Sequence, residues 1–227
     1  MDRGIWAIWY DIPDEQGTAY LEWFHGVHIP EKLGRPGYLW AAHYRITREA
    51  AHTGYLALFG GETTHTFLNP SPQQLLKRQS DETKRFMGMR RNAAACILAE
   101  EIRVDGPAAA QHGPGLTTGP AIQFGNYNAA SAIVEDDLNA WYAQERLPLL
   151  SKLSGCIGAR KLLTTVGQYK HAILHEFESL DMREQHFGPH EAQAGDPATW
   201  MGRIRPQLTH APRSPAVGLR VWPPVSA

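Results

Sequence analysis

The stretch Trp23–Gly37, WFHGVHIPEKLGRPG, sets an aromatic pair, two histidines and a glutamate within nine residues. Histidine titrates close to neutrality, and modest burial tunes it, so His28 beside Trp23 and Phe24 reads as a general acid or base in an aromatic pocket. His25, His28 and Glu31 are also metal-ligand types. Their spacing of i, i+3 and i+6 is wide for convergent ligation, Pro30 disturbs it further, and no metal is expected. The plain alternative is a core histidine satisfied by one hydrogen bond.

At about 100° per residue, a helix through this stretch gathers Tyr20, Leu21, Trp23, Phe24 and Val27 on one arc. His28 lies inside that arc and His25 at its edge. Gly26, Ile29 and Leu33 fall outside. Glu31 falls at the centre of the arc if the helix runs straight through Pro30, which makes it a second catalytic candidate. In the strand YLWAAHYRI, alternation puts His43 and Arg45 on one face and Trp40, Ala42 and Tyr44 on the other. His43 on the cleft face would partner His28. On the opposite face it would be core. Tyr10 and Tyr44 are hydrogen-bond donors available to a substrate oxygen. His25, Trp23 and Phe24 complete the expected binding wall.

The elements that hold these residues occur twice. Trp141–Gly155, WYAQERLPLLSKLSG, overlies Trp23–Gly37 at a constant offset of 118 residues. Tryptophan falls on tryptophan, Tyr142 on Phe24, Pro148 on Pro30 and Gly155 on Gly37. Tyr55–Thr63 overlies His171–Ser179 at an offset of 116. Each copy reads strand, helix, two strands, helix, strand, with a second helix expected over Pro72–Met89 in the first copy. The expected boundaries are 1–106 for one repeat, a Gly- and Pro-rich linker over 107–119, and 120–227 for the other. The second copy has Arg146 where the first has His28, and Leu149 where the first has Glu31. Arg146 is either half of a Glu145–Arg146 ion pair or a holder of a substrate carboxylate or phenolate. The asymmetry makes the first copy the expected active half.

The chain has 227 residues, 22 Lys and Arg against 23 Asp and Glu, and a net charge of −1. That balance argues against nucleic-acid binding. No apolar run has the ~20 residues of a membrane span, and the N-terminus lacks signal-peptide features. Cys96 and Cys156 fit no zinc spacing and no disulfide framework. They read as buried thiols of a cytoplasmic protein. Rossmann, P-loop, HExxH and G-x-S-x-G signatures are absent.

Two β-α-β-β-α-β units of ~100 residues are ferredoxin-like, and each has a bare sheet face to bury. The chain resembles the dimeric α+β barrel superfamily as a fused tandem pseudo-dimer packed sheet to sheet. The pattern of Trp23, His28, Pro30, Pro36 and Gly37 is most similar to EthD-like members. The resemblance implies a small-molecule enzyme acting without a cofactor on an aromatic or polyketide-like substrate: a lyase, dehydratase, cyclase or isomerase. His28 would move the proton, and His43 or a tyrosine would steady the oxygen that gains charge. A non-catalytic ligand-binding barrel and an oxygenase-type barrel are the alternatives. Chlorite dismutase-like and dye-decolourising peroxidase-like relatives bind haem through a histidine of the second repeat. His186 and His190 fall in that region, with His171 and His175 on the strand before it, although Gly188 and Pro189 unsettle a helical ligand. Single-repeat relatives dimerise to pair their sheets, so a tandem is expected as a monomer or homodimer.

Overall fold

The computed structural model describes residues 2–46, 52–112 and 118–225. The chain divides into two compact units. The first is Met1–Glu100 with Thr164–Gln168 and Arg220–Ala227, and the second is Glu101–Leu163 with Tyr169–Leu219. Of the expected linker, 113–117 lie outside the described residues, and Ala109–His112 form a short helix, α5.

In the first unit β1 (Gly4–Pro13) is central. It pairs antiparallel with β3 (His52–Gly61) on one side and β4 (Arg91–Asp105) on the other, and β2 (Tyr38–Ile46) extends the sheet beyond β3. The order β4-β1-β3-β2 is that of a ferredoxin-like unit. Apart from Pro13, every residue of β1 is buried. Its side chains alternate, and Trp6, Ile8, Tyr10 and Ile12 form the layer beneath the helices. Those helices are α1 (Gly17–Trp23) and α2 (Ile29–Leu33), joined by a π-helical turn over Phe24–His28, followed after β3 by α3 (Pro72–Leu76) and α4 (Asp81–Met87). The single helix expected over Pro72–Met89 is therefore two. Ser71 and Ser80 each cap a new start, their hydroxyls accepting from Gln74 N and Thr83 N.

The second unit repeats the plan. β5 (Ala121–Ala129) pairs antiparallel with β7 (His171–Phe177), and β7 pairs with β6 (Cys156–Val166). The other edge of β5 takes both β8 (Leu208–His210) and β9 (Ala216–Trp222). The first helical segment is α6 (Ala132–Trp141), a π-turn over Tyr142–Arg146, and α7 (Leu147–Leu150). The second is broken into α8 (Leu180–Met182), a π-turn over Arg183–Phe187, α9 (Gly188–Ala192) and α10 (Trp200–Ile204).

Each of these π-turns ends two residues before a proline: Pro30, Pro148 and Pro189. Proline has no N–H to offer the carbonyl four residues back, and its ring crowds that carbonyl. The helix accommodates this by widening the turn ahead. After the loop that follows, Gly37 and Gly155 both adopt a left-handed conformation, at φ +81° and +73°. A Cβ at Gly155 would lie 2.6 Å from Met182 Cβ, so that position requires glycine on two counts. Cys96 and Cys156 are buried free thiols, pushed up to about 12 by burial.

Candidate functional site

The first repeat brings Tyr10, His43 and His25 into one hydrogen-bonded chain. Tyr10 Oη lies 2.8 Å from His43 Nε2, and His43 Nδ1 lies 2.8 Å from His25 Nε2. β1 supplies the tyrosine and β2 the central histidine, and the π-turn swings His25 onto the sheet. His43 faces the helices and packs edge-on to Phe24 with ring centroids 4.8 Å apart. Its partner is His25, and the expected pairing with His28 does not form. Burial holds His43 well below the ordinary histidine range, reinforced by His25 and Arg90, and lowers His25 to about 4. Burial thus favours the neutral form of both rings. Trp222 stacks on His25, with centroids 6.3 Å apart. Arg90 covers Tyr10 at 4.1 Å and donates to Tyr20 Oη at 2.7 Å.

His28 is buried against Trp23 and Phe24, with ring centroids 4.8 and 5.5 Å away. Its Nδ1 has no hydrogen-bond partner among the described residues. Burial lowers its pKa to about 2, with Lys32, Arg90 and Arg35 adding to the effect. The π-turn changes the phase of everything after Phe24. Val27, expected inside, is exposed; Ile29, expected outside, is buried. Glu31, expected at the centre of the arc, is exposed, and its neighbour Lys32 turns inward over the Trp6 ring. Tyr44 is buried on the opposite face of β2 from His43.

The second repeat holds an open cavity. Trp141, Tyr142, Ile173, Met201, Ile204 and Leu208 give it apolar walls, and Gln123, Tyr127, Arg146, His175 and Glu191 give it polar points. Arg146 is 4% exposed and lies over the Phe187 ring at 4.4 Å. Its Nη2 donates to Glu191 Oε1. Arg146 thus pairs with Glu191, forty-five residues on. The expected partner, Glu145, instead accepts from Trp141 Nε1 at 3.1 Å. Glu191 Oε2 also accepts from Gln123 Nε2 at 3.0 Å. Arg146 and His175 hold the Glu191 carboxyl below its usual range despite its burial.

His175 is 2% exposed and packs against Phe187 with the rings tilted and their centroids 4.8 Å apart. Its Nδ1 lies 3.3 Å from the Gln123 carbonyl oxygen. A carbonyl only accepts, so Nδ1 carries the hydrogen and Nε2 presents a bare lone pair. Burial, with Arg146 next, lowers this histidine to about 3. Neither His175 Nε2 nor Arg146 Nε has a hydrogen-bond partner among the described residues. Tyr127 Oη donates to Tyr142 Oη at 2.7 Å, a bond that leaves the Tyr142 O–H as a donor.

Glu191, Gln123, Tyr127, Tyr142 and Trp141 were not among the expected site residues. A signal for two of them existed in the repeat, which places Trp141 over Trp23 and Tyr142 over Phe24. Glu191 and Gln123 have no counterpart in the motif and become visible only through tertiary contact.

No protein-family model and no curated protein sequence matches the chain. Solved structures do. A candidate monooxygenase from Fusobacterium nucleatum is similar at a TM-score of 0.60 and 10% identity, covering 97% of this chain and 93% of that one. An anthrone oxidase-like protein is similar at 0.58 and 15% identity, over 97% and 92%. A mutant chlorite dismutase from Candidatus Nitrospira defluvii, solved with cyanide, is similar at 0.55 and 12%, over 97% and 92%. Likeness at this identity carries the fold: the chain is an α+β protein of two ferredoxin-like repeats, in the fold of the dimeric α+β barrel superfamily.

These neighbours correct one expectation. Chlorite dismutase is the kind of relative that the resemblance associates with haem, and another neighbour is a candidate monooxygenase, so the expectation of no cofactor is overturned. A haem itself does not fit the residues present. His186 and His190 are absent from the cavity lining. His175 Nε2 is an imidazole nitrogen of the right type and tautomer, but the Phe187 ring 4.8 Å away and the Arg146–Glu191 pair occupy the space beside it that a porphyrin would need. Among the described residues no group of three or more metal-ligating side chains converges.

Proposed function

We propose that this chain is a small-molecule enzyme whose working pocket is the cavity of the second repeat, and that its substrate is an aromatic or polyketide-like carbonyl compound. One observation carries the reading. Two buried polar atoms without partners among the described residues, the Arg146 Nε–H donor and the His175 Nε2 acceptor, belong to side chains that line the same aromatic-walled cavity. Buried polar groups are nearly always paired, so two unpaired ones on one cavity point to a ligand that pairs them.

The reaction class is removal of a proton beside a carbonyl or phenol. The C–H or O–H bond breaks, its electron pair moves onto the substrate oxygen, and the proton passes to His175 Nε2. Arg146 faces the oxygen that gains charge. His175 is a weak base in the free protein, at about 3. An anion forming within the cavity raises its proton affinity, because opposite charge favours the imidazolium. Proton uptake and charge development are thereby coupled. Isomerisation, dehydration, cyclisation and oxygenation can all begin with this step.

The test is turnover of a panel of aromatic ketones and phenols in air, followed by mass spectrometry. Ile173→Phe narrows the cavity and is expected to abolish turnover in a protein that still folds. His28→Phe is expected to retain it. Loss of turnover of about a hundredfold or more in His28→Phe, with Ile173→Phe unaffected, would move the site to the first repeat.

A second reading rests on the Tyr10–His43–His25 chain, in which the first repeat conducts the proton. It predicts that His43→Phe abolishes turnover while Ile173→Phe does not.

A further inference from the structure

The polarity of the second-repeat cavity narrows its ligand. This step rests on the pocket assignment above. Two features fix the chemistry. The Gln123 carbonyl forces the hydrogen of His175 onto Nδ1, so Nε2 accepts and cannot donate. The positive charge of Arg146 is already met by Glu191, whose second oxygen is met by Gln123. The Arg146 Nε–H remains buried without a partner among the described residues. A carboxylate bound there would face the Glu191 carboxylate across the same lining, and like charges in a poorly solvated space repel strongly. Tyr127 donates its hydroxyl to Tyr142, whose own O–H is a further donor on the same lining.

We infer that the cavity takes a neutral aromatic molecule with one hydroxyl and one carbonyl at separate positions, the hydroxyl donating to His175 Nε2 and the carbonyl accepting from Arg146 Nε–H. A carboxylate or phenolate ligand, the other role considered for Arg146, is disfavoured by Glu191. Ortho placement is also disfavoured, since an ortho hydroxyl donates to its own carbonyl and leaves His175 unpaired. The remaining walls, Trp141, Ile173 and Met201 among them, are those of a flat apolar ring.

The test is calorimetric titration of the full chain with 2′-, 3′- and 4′-hydroxyacetophenone, acetophenone, phenol and 4-hydroxybenzoate. The 3′ or 4′ isomer is expected to bind on the order of tenfold or more tightly than acetophenone or phenol, because each simpler compound leaves a buried group unpaired. In His175→Phe, which keeps the apolar packing against Phe187, that advantage is expected to vanish while acetophenone binds as before. Tightest binding by 4-hydroxybenzoate would overturn the inference in favour of an anion site, with half-buried Arg205 as the added cation. Equal binding of the hydroxyketones, acetophenone and phenol would overturn it and leave the pocket assignment standing. Binding by none, or binding unaffected in Ile173→Phe, would overturn both.

Discussion

His28 and Arg146 close the same π-turn in the two repeats, and both turn inward. The first remains unpaired at Nδ1, and the second is paired with Glu191. One position of a duplicated framework thus holds a buried imidazole in one copy and, in the other, a buried guanidinium on the lining of a cavity.

Removing that cation leaves the Glu191 carboxylate alone in a poorly solvated site. Arg146→Met is expected to cost about 3–5 kcal/mol, measured by urea denaturation. Arg146→Met combined with Glu191→Leu removes both charges and is expected to recover most of the loss. A double variant as unstable as the single one would show that the pair is not what holds these helices together.

The His43 chain gives a second expectation. His43→Phe removes one partner of the fully buried Tyr10 hydroxyl, which keeps its hydrogen bond with Tyr20, at a cost of about 0.5–1.5 kcal/mol for the lost bond. Adding Tyr10→Phe removes the other half of that bond. A double-mutant cycle in denaturant should therefore show coupling of the same order, and additive costs would mean that the hydrogen bond contributes nothing net.

How much of this was readable beforehand depends on the position along the chain. The constant offset revealed both repeats because a duplicated fold keeps its glycines and prolines where the backbone needs them, Gly37 and Gly155 above all. The helical projection was right through Phe24 and failed at Val27, Ile29 and Glu31, the residues after the turn widens. The prolines two residues beyond each π-turn were visible in the sequence, but a proline also breaks or kinks helices, and only packing selects among these outcomes. The cavity's chemistry was less legible still. His175, Glu191 and Gln123 meet across large sequence separations, and no short motif contains them.

Acid should loosen the fold in a defined window. His28 and His175 have pKa values lowered to about 2 and about 3, against an ordinary 6.5. Between those values and 6.5 the unfolded chain binds more protons than the folded one, so stability is fully present above 6.5 and is lost as pH falls. Each such histidine contributes a slope of up to about 1.4 kcal/mol per pH unit. His28→Phe should flatten the profile of melting temperature between pH 6.5 and 4 by one histidine's share. An unchanged profile would mean that His28 is protonated in the folded state.

Glycine substitutions separate backbone need from coincidence. Gly155→Ala forces a left-handed alanine against Met182 and should cost about 1–3 kcal/mol. Gly26 lies in a helical turn, and a Cβ there meets nothing within 4 Å. Gly26→Ala should be neutral or stabilising by up to about 1 kcal/mol. Thermal melts of the two variants distinguish them directly, and equal destabilisation would contradict the assignment.

The stacking of Trp222 on His25 also has a consequence in time. Protein synthesis delivers His25 early and Trp222 only after the second unit's residues up to Leu219. At about 5–20 residues per second, the interval is roughly 10–40 seconds. From the completion of β4 onward the nascent first repeat has its β1–β4 segments in hand but lacks the indole that stacks on His25 at the end of its histidine chain. The last piece of the first repeat is thus made on the far side of its own duplicate, and the order of manufacture differs from the order of the fold.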